Sequence, residues 1–284
     1  HYGYSSWQLC FAVPAAIALV GAVALFFTLK DTPSSVGLPE IEDLDKEEGK
    51  VNADEASASH PADLTGPAFK KFINKLVFAN PLIWILAVSN FCIYVVRFTI
   101  LDWGATFLTQ YKGMEISTAG TVVAASELVG GILGMLVAGW FTDKFMKCRA
   151  HRTCFICTVG ATLSFFLFWK SPEGAPWLSA LFICLSSFFI YGPQALLGTA
   201  ASQQATKYAC ATANGILGIF GYASTAISGV TFGYLADNYG WDSVFLVAVI
   251  IGLVGAAVVA LMWKAPADGY EKAEKLMNDM KAQN

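Results

Sequence analysis

The chain has 284 residues, 56% of them hydrophobic and 14% charged, with a mean hydropathy of +0.54. Such a composition excludes a soluble domain and describes a polytopic membrane protein. The formal net charge of −3 says little, because the distribution of charge along the chain matters more than its sum. Seven cysteines is an odd number. They stand mostly in apolar surroundings, which argues against a disulfide framework. The sequence opens on His1 with no basic stretch leading to a cleavage site, so no signal peptide is expected.

In chain order, the first apolar run reaches from Trp7 to Thr28, just long enough for the ~20 residues a bilayer requires. Residues 31 to about 78 differ in kind. Pro33, Gly37, Pro39, Pro61, Gly66 and Pro67 break helices, and Glu40 to Glu48 is an acidic block. That stretch reads as a solvated linker. It closes on Lys70, Lys71 and Lys75, where a short amphipathic helix from Pro67 to Phe78 is expected at the membrane surface. Six more spans follow: Pro81 to Thr109, Ile116 to Phe141, Thr153 to Trp169, Trp177 to Leu197, Ala213 to Leu235 and Ser243 to Trp263. The resulting parts are a span in 1–30, a linker in 31–79, a six-helix unit in 80–265 and a tail in 266–284.

Lysine and arginine give the orientation. Lys30, Lys70, Lys71, Lys75, Lys144, Lys147, Arg149, Arg152, Lys207, Lys264 and Lys272 fall on one set of span ends, and only Lys112 and Lys170 on the other. The linker and the C-terminal tail are therefore expected in the cytoplasm. One span, a long linker and six spans is what a twelve-span chain of two halves leaves when its first five helices are removed.

Arg97 carries the chemistry. A guanidinium in the middle of an apolar span costs at least ~2.5 kcal/mol and does not give up its proton, so it must face protein or a wet cavity. Its planar fork suits the tetrahedral oxygens of phosphate. Tyr94, one turn away on the same face, adds a hydroxyl. Glu127, mid-span in the next helix, reads as a counter-charge holding Arg97 in an empty site, a proton-linked group, or a helix-packing ion pair. Gln194 reads either as a cavity-lining residue or as a satisfied packing amide, beside Pro193, whose ring removes a helical hydrogen bond and makes a natural hinge. Asn214 opens the next-to-last span. Asp143, Lys144 and Arg149 lie in a basic inter-helix turn, where a lone acid that exchanges hydrogen bonds fits a gate, and which also reads simply as a basic cytoplasmic loop anchored at the headgroups. Cys154 and Cys157, with Cys148 and His151 nearby, have only superficial metal-ligand spacing and read as packing. No Gly-rich phosphate loop, Ser/His/Asp set or basic-aromatic nucleic-acid surface is present, and neither a cofactor nor a metal is expected.

Taken together, Tyr94-x-x-Arg97-x-x-Ile100-Leu101-Asp102-Trp103, Glu127 with its following glycines, Gly139-Trp140-x-x-Asp143-Lys144, Tyr191-Gly192-Pro193, Asn214-Gly215-x-x-Gly218-x-Phe220-Gly221-Tyr222 and Gly240-Trp241 resemble the organophosphate:phosphate antiporters of the major facilitator superfamily. The likeness covers nearly the whole chain, from that family's sixth helix to its end. It implies an all-α membrane protein in which seven transmembrane helices are present, the last helix of an N-terminal half and a complete six-helix C-terminal half. By the same resemblance Arg97 is one of two arginines that clamp phosphate, Tyr94 a site tyrosine and Glu127 a site-proximal acid. The second arginine and the missing N-terminal six-helix half lie outside this sequence. Some hexose-phosphate carriers have an Asp and a Lys in the eleventh helix where this chain has Asn214 and Leu217.

The resemblance implies a bacterial inner-membrane carrier that exchanges a sugar phosphate, hexose-6-phosphate first, for inorganic phosphate by alternating access. The rival reading is a transporter-like sensor of external sugar phosphate that signals to a partner kinase. A membrane-embedded enzyme is disfavoured, because no nucleophile–base or metal set lies near Arg97 in sequence.

Overall fold

The computed structural model describes residues 6–30, 37, 67–172 and 174–282. The acidic block Glu40 to Glu48 and the breakers Pro33, Pro39, Pro61 and Gly66 lie outside the described residues. Within them all regular structure is helical. In order these are α1 (Ser6–Thr28), α2 (Pro67–Ile73), α3 (Pro81–Gln110), α4 (Ile116–Phe145), α5 (Ala150–Trp169), α6 (Pro176–Thr206), α7 (Tyr208–Tyr239), α8 (Trp241–Ala260) and α9 (Tyr270–Ala282). Seven of them, all but α2 and α9, are long and apolar enough to cross a membrane.

The chain forms two compact units, residues 1–63 and 64–284. In the first, α1 is apolar on every side and exposed along its length, with Phe26 at 82% and Val20 at 69%. A helix apolar all round is built for lipid or for other helices.

The second unit holds the six-helix bundle. Asn80 caps the start of α3, its Oδ1 accepting from the Leu82 N–H at 3.3 Å, and Pro81 at the first helical position needs no partner for its nitrogen. In lipid there is little hydrophobic drive to bring helices together, so close packing depends on small residues. Gly130 and Gly134 let α4 lie directly on α6, since a Cβ at either would run into the backbone at Cys184 and Phe188. Gly192 answers from α6, facing Ala138. Gly221 and Gly233 of α7 sit against Tyr94 and Trp103 of α3, while Gly252 and Gly255 of α8 sit against Thr162 and Cys92.

An aromatic cluster closes the end of the bundle opposite most of the lysines and arginines. The Phe107 and Phe245 ring centroids are 4.3 Å apart, with Phe165, Phe168 and Trp241 around them. The Trp169 indole donates to Asp242 at 2.7 Å and that of Trp241 to Gln110 at 3.1 Å. Gly240, at φ +79°, makes the sharp reversal from α7 into α8.

At the basic end the helices run further than hydropathy predicts. The expected gap between Leu197 and Ala213 is helical except at one point, because its alanines and glutamines favour helix. Thr206 (φ 58°, ψ 176°) alone breaks α6 from α7. A β-branched residue is an outlier there. It is fully buried and its hydroxyl has no partner among the described residues. Thr206→Gly is expected to raise stability by about 1 kcal/mol, seen as a higher melting temperature in detergent. The junction is held from outside: Gln204 donates to the Pro266 carbonyl at 3.0 Å, and the Gly269 N–H donates to the Gln203 carbonyl at 3.0 Å.

The expected amphipathic helix is observed as α2, continued by a π-helical turn over Asn74–Phe78. Its Phe72, Leu76 and Val77 are fully buried in the bundle, so α2 is fastened to protein on that face. The C-terminal α9 adds Ala273, Met277 and Met280 to the same core.

Candidate functional site

Arg97 lies 16 residues into α3, or about 24 Å along it at 1.5 Å per residue. Glu127 and Tyr191 stand 18 and 15 residues from the ends of α4 and α6 at that same basic side, about 27 and 23 Å. Three polar groups from three helices thus meet at one depth. Arg97 Nη2 donates to the Tyr191 hydroxyl at 3.2 Å, and that hydroxyl donates to Glu127 Oε2 at 2.7 Å. Ser187, one turn before Tyr191, donates to Glu127 Oε1 at 2.9 Å. Arg97 therefore reaches Glu127 through a tyrosine, and no direct ion pair joins them.

Aromatic rings surround the guanidinium. Its carbon is 4.9 Å from the Tyr191 ring centroid, 5.4 Å from Phe98 and 5.7 Å from Tyr94. These distances allow cation–π attraction, which holds a charge in an apolar setting without consuming its N–H groups. Among the described residues the buried Arg97 Nε–H finds no partner, and neither does Gln194 Oε1. Gln194 turns its amide nitrogen to the Tyr94 hydroxyl at 3.4 Å. Gly131 makes room for the Tyr191 ring, which would lie 3.2 Å from a Cβ there. Gly221 does the same for Tyr94.

This is a half-buried cation whose chain partners leave donors unused, on a face built from α3, α4 and α6. Such donors can make charge-assisted hydrogen bonds to a tetrahedral anion. A family model described as Major Facilitator Superfamily matches residues 2–229.

The chain belongs to the Major Facilitator Superfamily. It is a multi-pass membrane protein. Major-facilitator relatives include a probable hexose phosphate transport protein of Chlamydia trachomatis, 30% identical over 95% of this chain and 59% of its own length. The membrane sensor protein UhpC of Salmonella typhimurium is 31% identical over 95% of this chain and 59% of its own length. The glycerol-3-phosphate transporter of Bacillus subtilis is 29% identical over 92% of this chain and 57% of its own. The chain spans less than three-fifths of the length of each of these relatives. Their names are those of carriers of phosphorylated compounds and of a sensor, in keeping with the organophosphate:phosphate antiporter branch of the superfamily; none is that of an enzyme.

Of the residues singled out in sequence, Arg97, Tyr94, Glu127 and Gln194 come together. Asn214 does not join them. Its side chain donates to Ser202 at 2.7 Å and to the Cys210 carbonyl at 3.0 Å, and Ser202 is two turns beyond Gln194 towards the basic end. Helical φ/ψ angles persist through Pro193, and the break falls at Thr206 instead. Asp143 and Lys144 are exposed at the basic end. There the Cys148 thiol lies 4.0 Å from Asp143, and Lys144 Nζ lies 5.1 Å from the Trp140 ring centroid. Arg149 stands half-buried before α5, beside Asp268 and Glu271 of the tail.

Sequence reading missed Tyr191 and Ser187 as site residues. A signal was present, since 187, 191 and 194 are spaced i, i+4, i+7 and so share one face of α6. Tyr191→Phe removes the link and leaves the buried Glu127 with one donor. The expected loss is about 1–3 kcal/mol of stability. In a double-mutant cycle with Glu127→Gln the two losses should fall short of additive, read from unfolding in detergent. Additive losses would mean that the two side chains do not act as a unit.

Proposed function

We propose that this chain is the larger part of a carrier that exchanges a phosphorylated sugar, hexose-6-phosphate first, for inorganic phosphate. The observation that carries the reading is the mid-bundle Arg97, caged by three aromatic rings and joined to Glu127 only through Tyr191. In the empty site the Tyr191–Glu127 pair holds the guanidinium. An arriving phosphate takes its N–H groups by charge-assisted bonds, and the Tyr191 hydroxyl stays on Glu127.

On this proposal α3–α8 is the second half of a two-half carrier and α1 is the last helix of the first. Substrate bridges the two halves, and they rock around it. Open small faces support the need for a second half. A Cβ at Gly215 or Gly218 of α7 would meet nothing within 4 Å, while Ile219 and Tyr222 beside them are exposed. On the same proposal the basic end, the linker and the tail face the cytoplasm across a bacterial inner membrane, a reading that the lysine and arginine bias supports. Asp143, Lys144 and Arg149 at that end are the proposed gate.

The test is counterflow by the full-length protein in liposomes. With phosphate inside, labelled glucose-6-phosphate outside should accumulate, and should not without internal phosphate. The UhpC likeness keeps a second reading, a sensor of sugar phosphate. Folded protein that binds the sugar phosphate but moves none would replace the carrier by the sensor.

A further inference from the structure

An open cavity of about 760 Å³ lies at the basic end, where α2 meets α7, and it is unconnected with Arg97. Two chemistries line it. Lys70, Lys71 and Asn74 give a cationic and polar edge, and Phe69, Ile73 and Phe78 give an apolar one. Thr212, in the second turn of α7, also lines it. Among the described residues neither lysine has an acidic partner, and no acid lines the cavity. Phe72 of α2 and Leu76 and Val77 of the π-helical turn are spent on the bundle, where they are fully buried. Phe69 and Phe78 stay 37% and 47% exposed, so they are free to meet something from outside the chain. Phe78 lies three residues before α3, a helix long and apolar enough to cross a membrane. Trp84, one turn into α3, is 39% exposed and donates to the Phe78 carbonyl at 2.8 Å, the placing of an interfacial tryptophan.

From this juxtaposition we infer that the α2–α7 cavity binds the headgroup of an anionic phospholipid, with Lys70 and Lys71 on the phosphate and Phe69 and Phe78 against the upper acyl chains. Free phosphate matches only the cationic edge, and a neutral lipid only the apolar one. An acidic phospholipid matches both. Basic residues just outside a span are attracted to such lipids, and a groove between helices makes the attraction local. The lipid ties α2 to the start of α7, two elements that the chain itself joins through the edge-on contact of Phe72 with Tyr208 at 6.3 Å.

The test is native mass spectrometry of the full-length protein in neutral detergent with equal phosphatidylglycerol and phosphatidylcholine. Wild type should hold phosphatidylglycerol preferentially. K70Q/K71Q should weaken it by about fivefold per lysine, hence about 25-fold, with phosphatidylcholine adducts unchanged. K70R/K71R should keep the preference. Equal retention of the two lipids by wild type, or an unaltered preference in K70Q/K71Q, would overturn the site. Displacement of the lipid by millimolar inorganic phosphate would overturn it too, by assigning the lysines to a free anion.

Discussion

Replacing Arg97 by lysine is expected to lower phosphate-driven exchange by about 10- to 100-fold while the protein stays in the membrane at its normal level. Lysine keeps the charge. It loses the fork that offers two parallel N–H groups to one phosphate, and with it a charge-assisted hydrogen bond of about 1.5–3 kcal/mol. The ammonium is also the poorer partner for the Tyr191, Phe98 and Tyr94 rings, because it is more strongly hydrated than a guanidinium. Tyr191 meanwhile retains Glu127 as acceptor, so the local fold survives. Counterflow in liposomes and membrane abundance are the two measurements. Undiminished exchange by the lysine variant removes Arg97 from the site.

Gly134→Leu is expected to have the largest effect on stability. A Cβ at residue 134 would stand 2.8 Å from the Phe188 carbonyl carbon and 2.9 Å from its Cα, with the carbonyl oxygen closer still. These are backbone atoms of α6, and they cannot turn aside as a side chain end can. Overpacking in a filled core costs about 1–3 kcal/mol, and a rigid neighbour puts this case at the upper end or beyond. The same wedge would part Glu127 from Ser187 and Tyr191, so exchange should fall along with stability. Gly120→Ala, on the same helix, is the control. A Cβ there meets nothing within 4 Å, and alanine is the better helix former. Thermal unfolding in detergent should separate the two by several degrees. Equal melting temperatures would show that α4 and α6 do not need their close approach.

What sequence revealed of this molecule followed the cost of each feature. A charge inside an apolar run is expensive, so Arg97 and Glu127 were legible at once. Seven spans were legible because hydropathy alone draws them. The tyrosine between the two charges was not legible as a go-between, because its role depends on how α6 is registered against α3 and α4. Asn214 stood out as a polar residue in a span, yet a short-range bond to Ser202 accounts for it. Pro193 announced a hinge by its missing N–H, but helical angles can run through one lost bond. Thr206 announced nothing. Its neighbours are good helix formers, and the break is a single residue wide.

That single residue has a mechanical consequence. With only Lys207 between α6 and α7, there is no slack to let one slide along its axis past the other. The two helices also share α3 as a neighbour, since Tyr191 of α6 bonds Arg97 and Gly221 of α7 rests on Tyr94. The joint is held by Pro266 and Gly269 of the tail. If the halves rock as proposed, the two helices would therefore tilt together about this joint rather than slide, with the tail's two hydrogen bonds beside it.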